Sequence, residues 1–185
     1  MIDSEGHRLR IDYSEKLKEW PKWKQFGDWA AWIIERTVEG YYTVIRSVRH
    51  ERAIERSENA VAVFASVADA GKYVILQIGD YLRSYLGPET LAIKWMATGL
   101  DPRIQVRQPT KDAIDQFTRF RPAGPESFSQ QGLQKYTIQD DPSRFGFAFP
   151  REARDMQILA LTYDELNALL LDGMPEDITS KISSH

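Results

Sequence analysis

The sequence predicts an α+β domain in which an antiparallel β-sheet packs against a few α-helices. Three observations carry that expectation. Short β-like runs come in neighbouring groups joined by tight turns, amphipathic helices stand between the groups, and regular strand–helix alternation, which a doubly wound parallel fold needs, is missing. A chain of 185 residues with 42% hydrophobic and 28% charged residues is long enough for one well-buried core. Residues 1–185 are therefore read as a single domain, with 1–12 and 177–185 as loose termini.

Taken in order, Ser14 can cap a helix through Phe26, with Leu17, Trp20 and Trp23 on one side and Pro21 as a break within it. Trp32 to Val38 and Tyr41 to Val48 read as strands meeting at Glu39-Gly40, where glycine can supply the positive φ of a hairpin turn. His50 to Asn59 is polar and reads as a loop or short helix, and Ala60 to Ala65 as a buried strand. Ser66 and Asp69 hold the positions of a capping box. The helix they open has Val67, Ala70, Val74, Ile78, Tyr81, Leu82 and Tyr85 as its inner face and Asp69, Lys72, Asp80 and Arg83 as its outer one, and Gly87-Pro88 ends it.

Leu91 to Met96 fits either a strand or a helix. Arg103 to Arg107 alternates like an edge strand, and Thr110 can cap a short helix with Ala113, Ile114 and Phe117 inward. Pro122, Gly124 and Pro125 mark a loop. Leu133 to Gln139, Phe145 to Phe149 and Met156 to Leu161 read as a three-stranded meander, with Asp140-Asp141-Pro142-Ser143 as the first turn. In the middle strand Phe145, Phe147 and Phe149 make one face aromatic, while Gly146 and Ala148 leave the other nearly bare. Thr162 and Glu165 form a capping box for a last helix through Leu171, stopped by Gly173 and Pro175.

Composition narrows the chemistry. Cysteine is absent, which excludes disulfides, thiolate metal sites and cysteine nucleophiles and fits a reducing compartment. With no signal-like N-terminus and no apolar run of membrane length, a cytoplasmic location is expected, without a membrane role. The net charge of −3 gives no general drive toward nucleic acid. Residues 131–185 carry five basic and nine acidic side chains, a solvated acidic face or a contact for a basic partner.

The three histidines, His7, His50 and His185, have no second ligand at metal spacing, so neither a metal nor a cofactor is expected. Phosphate-cradling glycine loops and nucleophile elbows are missing as well. Asp140 and Asp141 are the most conspicuous carboxylate pair, at a proline-containing turn where aspartate commonly serves the backbone. Trp20, Trp23, Trp29 and Trp32 lie within thirteen residues and suit either core or interface. Arg103, Arg107, Arg119 and Arg121, interleaved with Phe117 and Phe120, suit a solvated edge or a protein-binding rim.

Two segments carry a resemblance. Ala62 to Val74 (AVFASVADAGKYV) resembles a strand-to-helix element of bacterial immunity proteins from polymorphic toxin systems. Leu159 to Leu166 (LALTYDEL), with Leu169-Leu170, looks like their closing strand and helix. The nearest resemblance is to the immunity factors of mycobacterial necrotizing, NAD-degrading toxins. It implies a cytosolic antitoxin, not an enzyme, that forms a one-to-one complex with a toxin domain and blocks its active site. Arg119, Arg121, Asp140, Asp141 and Arg144 are the partner-binding candidates. The rival expectations are a chaperone or adaptor for a secreted protein, or an enzyme built on carboxylates alone.

Overall fold

The computed structural model describes residues 7–12, 29–49, 57–111, 113–115 and 132–182. Its centre is a seven-stranded antiparallel sheet of order β1-β2-β3-β4-β7-β6-β5. The strands are β1 (Arg8–Ile11), β2 (Trp29–Arg36), β3 (Tyr42–Arg49), β4 (Ser57–Phe64), β5 (Ile104–Arg107), β6 (Gln134–Ile138) and β7 (Asp141–Ala148). Two meanders, β1–β4 and β5–β7, join where Val63 pairs with Phe147 and Phe64 with Gly146. Both edge strands are only four residues long, which limits the open ladder that edge-to-edge association exploits.

Between the meanders run α1 (Val67–Leu86) and α2 (Leu91–Thr98); a 3-10 segment (Pro150–Ala160), α3 (Tyr163–Leu171) and α4 (Glu176–Ile182) follow the sheet. α1, α2, the 3-10 segment and α3 cover one sheet face. There Trp32, Ile34, Val44, Phe64 and Tyr136 meet Tyr73, Val74 and Leu76 of α1, Trp95 of α2, Met156 and Leu159 of the 3-10 segment, and Leu166 and Leu170 of α3. Trp32 is thus a core residue, edge-on to Tyr73 with ring centroids 6.4 Å apart. Trp20 and Trp23 lie outside the described residues.

The opposite face carries Ala60, Val63, Leu133, Phe147, Phe149 and Ala113 as a second cluster. On the β1–β4 half this face mixes small and branched residues, with Ala31 opposite Ser47 on β3, Ile33 opposite Ile45, and Ile45 opposite Ala60. Arg8 of β1 bonds Glu35 at 3.4 Å and Glu58 of β4 at 2.7 Å. Flat sheet geometry would separate those strands by about 14 Å, so this half is coiled toward its own second face.

The bare face of β7 has a purpose. Phe64 lies over Gly146, and a Cβ there would stand 2.8 Å from the ring and 3.3 Å from the Val63 carbonyl. Because Phe64 is fully buried, its ring has no room to withdraw. Gly146→Ala is expected to lower the unfolding free energy by about 1–3 kcal/mol through overpacking. A loss below about 0.5 kcal/mol in a urea melt would show that the core yields.

Several sequence expectations are corrected. The N-terminal stretch is not wholly loose, since β1 pairs along β2 from Arg8↔Glu35 to Ile11↔Trp32. Residues 176–182 form α4 instead of a loose tail. The hairpin between β2 and β3 is longer than two residues: Thr37 N–H bonds the Tyr41 carbonyl at 2.8 Å, leaving Val38, Glu39 and Gly40 at the tip, with Gly40 at φ 88° as expected. Leu91–Thr98 is a helix, capped by Thr90. The turn expected at Asp140–Ser143 sits one step earlier, at Gln139–Asp140, because Asp141 already pairs with Ile138.

Two corrections go further. The segment expected as a third meander strand, Met156–Leu161, belongs to the 3-10 segment, which starts with Pro150 as its first residue. And three of the four residues read as the outer face of α1 are buried: Asp69, Lys72 and Arg83 are at most 3% exposed, while Val67, Tyr81 and Tyr85, read as its inner face, are exposed. The 3-10 segment and α3 lie over that polar side. Among the described residues no helix is long and apolar enough to cross a membrane.

Candidate interaction surface

Charged residues inside the helical layer decide where its outer surface lies. Lys72 Nζ donates to the carbonyls of Ile158 and Leu161, each at 2.7 Å, and pairs with Asp69 Oδ1 at 2.7 Å. Arg144, from β7, bonds the Leu159 carbonyl at 2.6 Å, and Arg103 bonds that of Ala160 at 3.1 Å. The carbonyl end of the 3-10 segment, its negative pole, is thus held by three cations, from α1, β7 and the turn before β5. Burial holds the Lys72 ammonium below the ordinary lysine range, while Asp69 pulls the other way. Arg83 does the same for α3, donating to the carbonyls of Leu170 (2.8 Å), Asp172 (2.6 Å) and Leu169 (3.3 Å), and through Nε to that of Glu89 (2.8 Å).

Three of the partner-binding candidates lie next to this arrangement. Arg144, its side chain 37% exposed, bonds the Leu159 carbonyl and also approaches Asp69 Oδ1 at 3.4 Å. Asp141 accepts from the Ser143 N–H at 3.2 Å and from its hydroxyl, so its carboxylate serves its own turn. Asp140 is exposed beside them. The structure brings these three together around the β6–β7 turn, with Asp140 facing solvent. Arg119 and Arg121 lie outside the described residues.

A different surface stands out, built by α1, α2 and the start of the 3-10 segment. Residues three apart eclipse in a 3-10 helix, so this segment has three rows. Ala153, Met156 and Leu159 face the core; Glu152, Asp155 and Ile158 form the second row; Arg151, Arg154 and Gln157 form the third. Gln157 anchors its own end, accepting from Asp101 N–H at 2.6 Å and donating to the Gly99 carbonyl at 3.2 Å. Arg151 and Arg154 remain at the surface, beside Met96 of α2, which is 67% exposed. Sequence reasoning missed this surface because Met156–Leu161 reads as a strand. The signal was present, since the apolar positions 153, 156 and 159 recur at three.

Two open hollows flank Arg154. One, of about 310 Å³, is lined by Trp95, Met96, Leu100, Pro150 and Arg151 among others, and the second, of about 280 Å³, by Gln77, Asp80, Tyr81, Thr90 and Asp155. Asp80 accepts from the N–H groups of both Leu91 and Ala92, so it caps α2. Asp155 accepts from Gln77 Nε2 at 2.8 Å, and burial pushes its carboxyl up to about 6. Among the described residues no three His, Asp or Glu side chains gather as a metal site.

The raised Asp155 value has a stability consequence. Between the unfolded value near 3.8 and about 6 the native state binds more protons, so stability contributed by the neutral carboxyl is lost as pH rises through that window. Asp155→Asn, which keeps an acceptor for Gln77, is expected to stabilise the protein at pH 8 by on the order of 2–3 kcal/mol. The gain should vanish by pH 4. Urea melts at both pH values check it, and an equal effect at both would rule out the titration.

Comparison with protein-family models, curated proteins and solved structures finds no match to this chain. Its function is therefore argued from the surface and the scaffold.

Proposed function

We propose that this protein is an immunity protein: it binds a secreted toxin domain inside the producing cell and covers the toxin's active site. The toxin class follows from the sequence resemblance and is an NAD-degrading enzyme. The observation that carries a protein-binding role is the surface of exposed Met96, half-exposed Tyr81 and two arginines on the helical layer. Methionine, aromatic residues and arginine are the types enriched where proteins meet. An inhibitory contact typically buries about 800 Å² on each partner, which a rigid helical layer on a sheet can offer.

The rival reading as a carboxylate enzyme has less support. Asp80 and Asp155 share a hollow, but Asp80 has both oxygens engaged by the start of α2, which leaves one carboxylate for acid–base work.

The direct test is NAD hydrolysis by a toxin domain captured with this chain from its host, titrated with the purified chain. Hydrolysis is expected to stop at one equivalent. Unchanged hydrolysis at a tenfold excess would overturn the reading, and binding without inhibition would indicate a chaperone or adaptor instead.

A further inference from the structure

We infer that Arg151, Arg154 and the hollow beside Trp95 form a docking site for an acidic, extended segment of a partner protein. This rests on the protein-binding reading above and names the chemistry of the segment it would take. The argument begins with charge. Arg151 pairs with Glu152 and Arg154 with Asp155, so the four residues sum to zero, yet they are layered. The arginine side chains are 64% and 41% exposed, whereas the glutamate and aspartate are 15% and 13% exposed. Solvent therefore meets guanidinium, and the carboxylates lie beneath it. Both heads keep donors to spare, since among the described residues the further contacts of Arg154 and Arg151 are the Met96 thioether at 3.5 Å and the Phe149 ring at 5.7 Å.

Spacing makes the site selective for an extended chain. Residues three apart in a 3-10 helix stand one above the other, about 6 Å apart along its axis. Side chains at i and i+2 of an extended strand repeat at about 6.8 Å on one side. Two acidic residues separated by one residue thus present carboxylates in step with the two guanidiniums, each able to form a bidentate pair. The hollow of about 310 Å³ next to them, with Trp95, Met96 and Leu100 in its lining, receives a large apolar side chain adjacent to that acidic pair. A nucleic acid strand is the poorer fit, because two cations do not make a phosphate-tracking groove and the chain carries a net charge of −3.

The test uses a displayed library of random twelve-residue peptides selected on the full-length chain and counter-selected on Arg151→Glu/Arg154→Glu. Enriched peptides are expected to carry Asp or Glu at i and i+2 with a neighbouring aromatic residue, Leu or Met. A fluorescein-labelled member should lose about 100-fold in affinity on the double variant, and its binding should weaken as salt rises. Met96→Glu, at an exposed position, should weaken it independently. Enrichment without acidic bias, equal binding by the double variant with unchanged melting, or preference for a dT12 oligonucleotide would each overturn the site. If the wild-type chain selects such peptides but leaves the toxin active, the immunity reading falls and the site stands. If the double variant inhibits the toxin as well as wild type, the site falls and the immunity reading stands.

Discussion

Arg83→Met is expected to lower the unfolding free energy by about 3–5 kcal/mol, the largest loss among single substitutions in the helical layer. Arg83 is 1% exposed, and its guanidinium is the donor for carbonyls of Glu89, Leu169, Leu170 and Asp172. Methionine fills much of the volume but donates nothing, so those carbonyls lose their partner without gaining water. The effect should be local first. Amides of α3 are expected to exchange much faster in the variant, because α3 is fastened to α1 at this point and along Gly79. That glycine allows the approach: a Cβ there would stand 2.8 Å from Leu170. Arg83→Lys should recover only part of the loss, since one ammonium cannot span carbonyls on both sides. A urea midpoint within about 1 kcal/mol of wild type would show that the carbonyls find other donors.

Lys72→Met is the second large effect, at about 3 kcal/mol or more near neutral pH. It strips the carbonyls of Ile158 and Leu161 and leaves the Asp69 carboxylate, 3% exposed, with Arg144 at 3.4 Å as its remaining cation. Removing both charges together should cost less than the sum of the two single changes. In Asp69→Asn/Lys72→Met no unpaired carboxylate remains, and Ser66 can still bond position 69. Four equilibrium melts close this cycle. Strict additivity would mean that Asp69 and Lys72 act separately despite their 2.7 Å contact.

These two residues also show where sequence reasoning stops. Lys72 and Arg83 read as the solvent side of an amphipathic helix, because periodicity reports which side chains are polar and not what covers them. Two more chain segments, the 3-10 segment and α3, fold over α1 and turn that polar side into an interior. Their carbonyl ends supply the acceptors that make burying a lysine and an arginine tolerable. Neither acceptor is visible as a residue type, since both are backbone. The candidate surface was hidden for a related reason: its arginines share an edge in a helix and not in the strand that Met156–Leu161 resembles.

Local grammar determined much of the rest. Alternation and turn residues predicted antiparallel strands, Ser66 and Thr162 marked the starts of α1 and α3, and Gly87 at φ 101° closes α1 where Gly-Pro stands. The alternating Phe145, Phe147 and Phe149 set the aromatic face of β7. Each of these depends on contacts between residues a few positions apart, which a chain specifies by itself. Tertiary structure alone decided that β4 joins β7, that Gly146 makes room for Phe64, and that the polar side of α1 is interior. Those outcomes depend on which distant segments meet, and the free energy that selects them belongs to the assembled core.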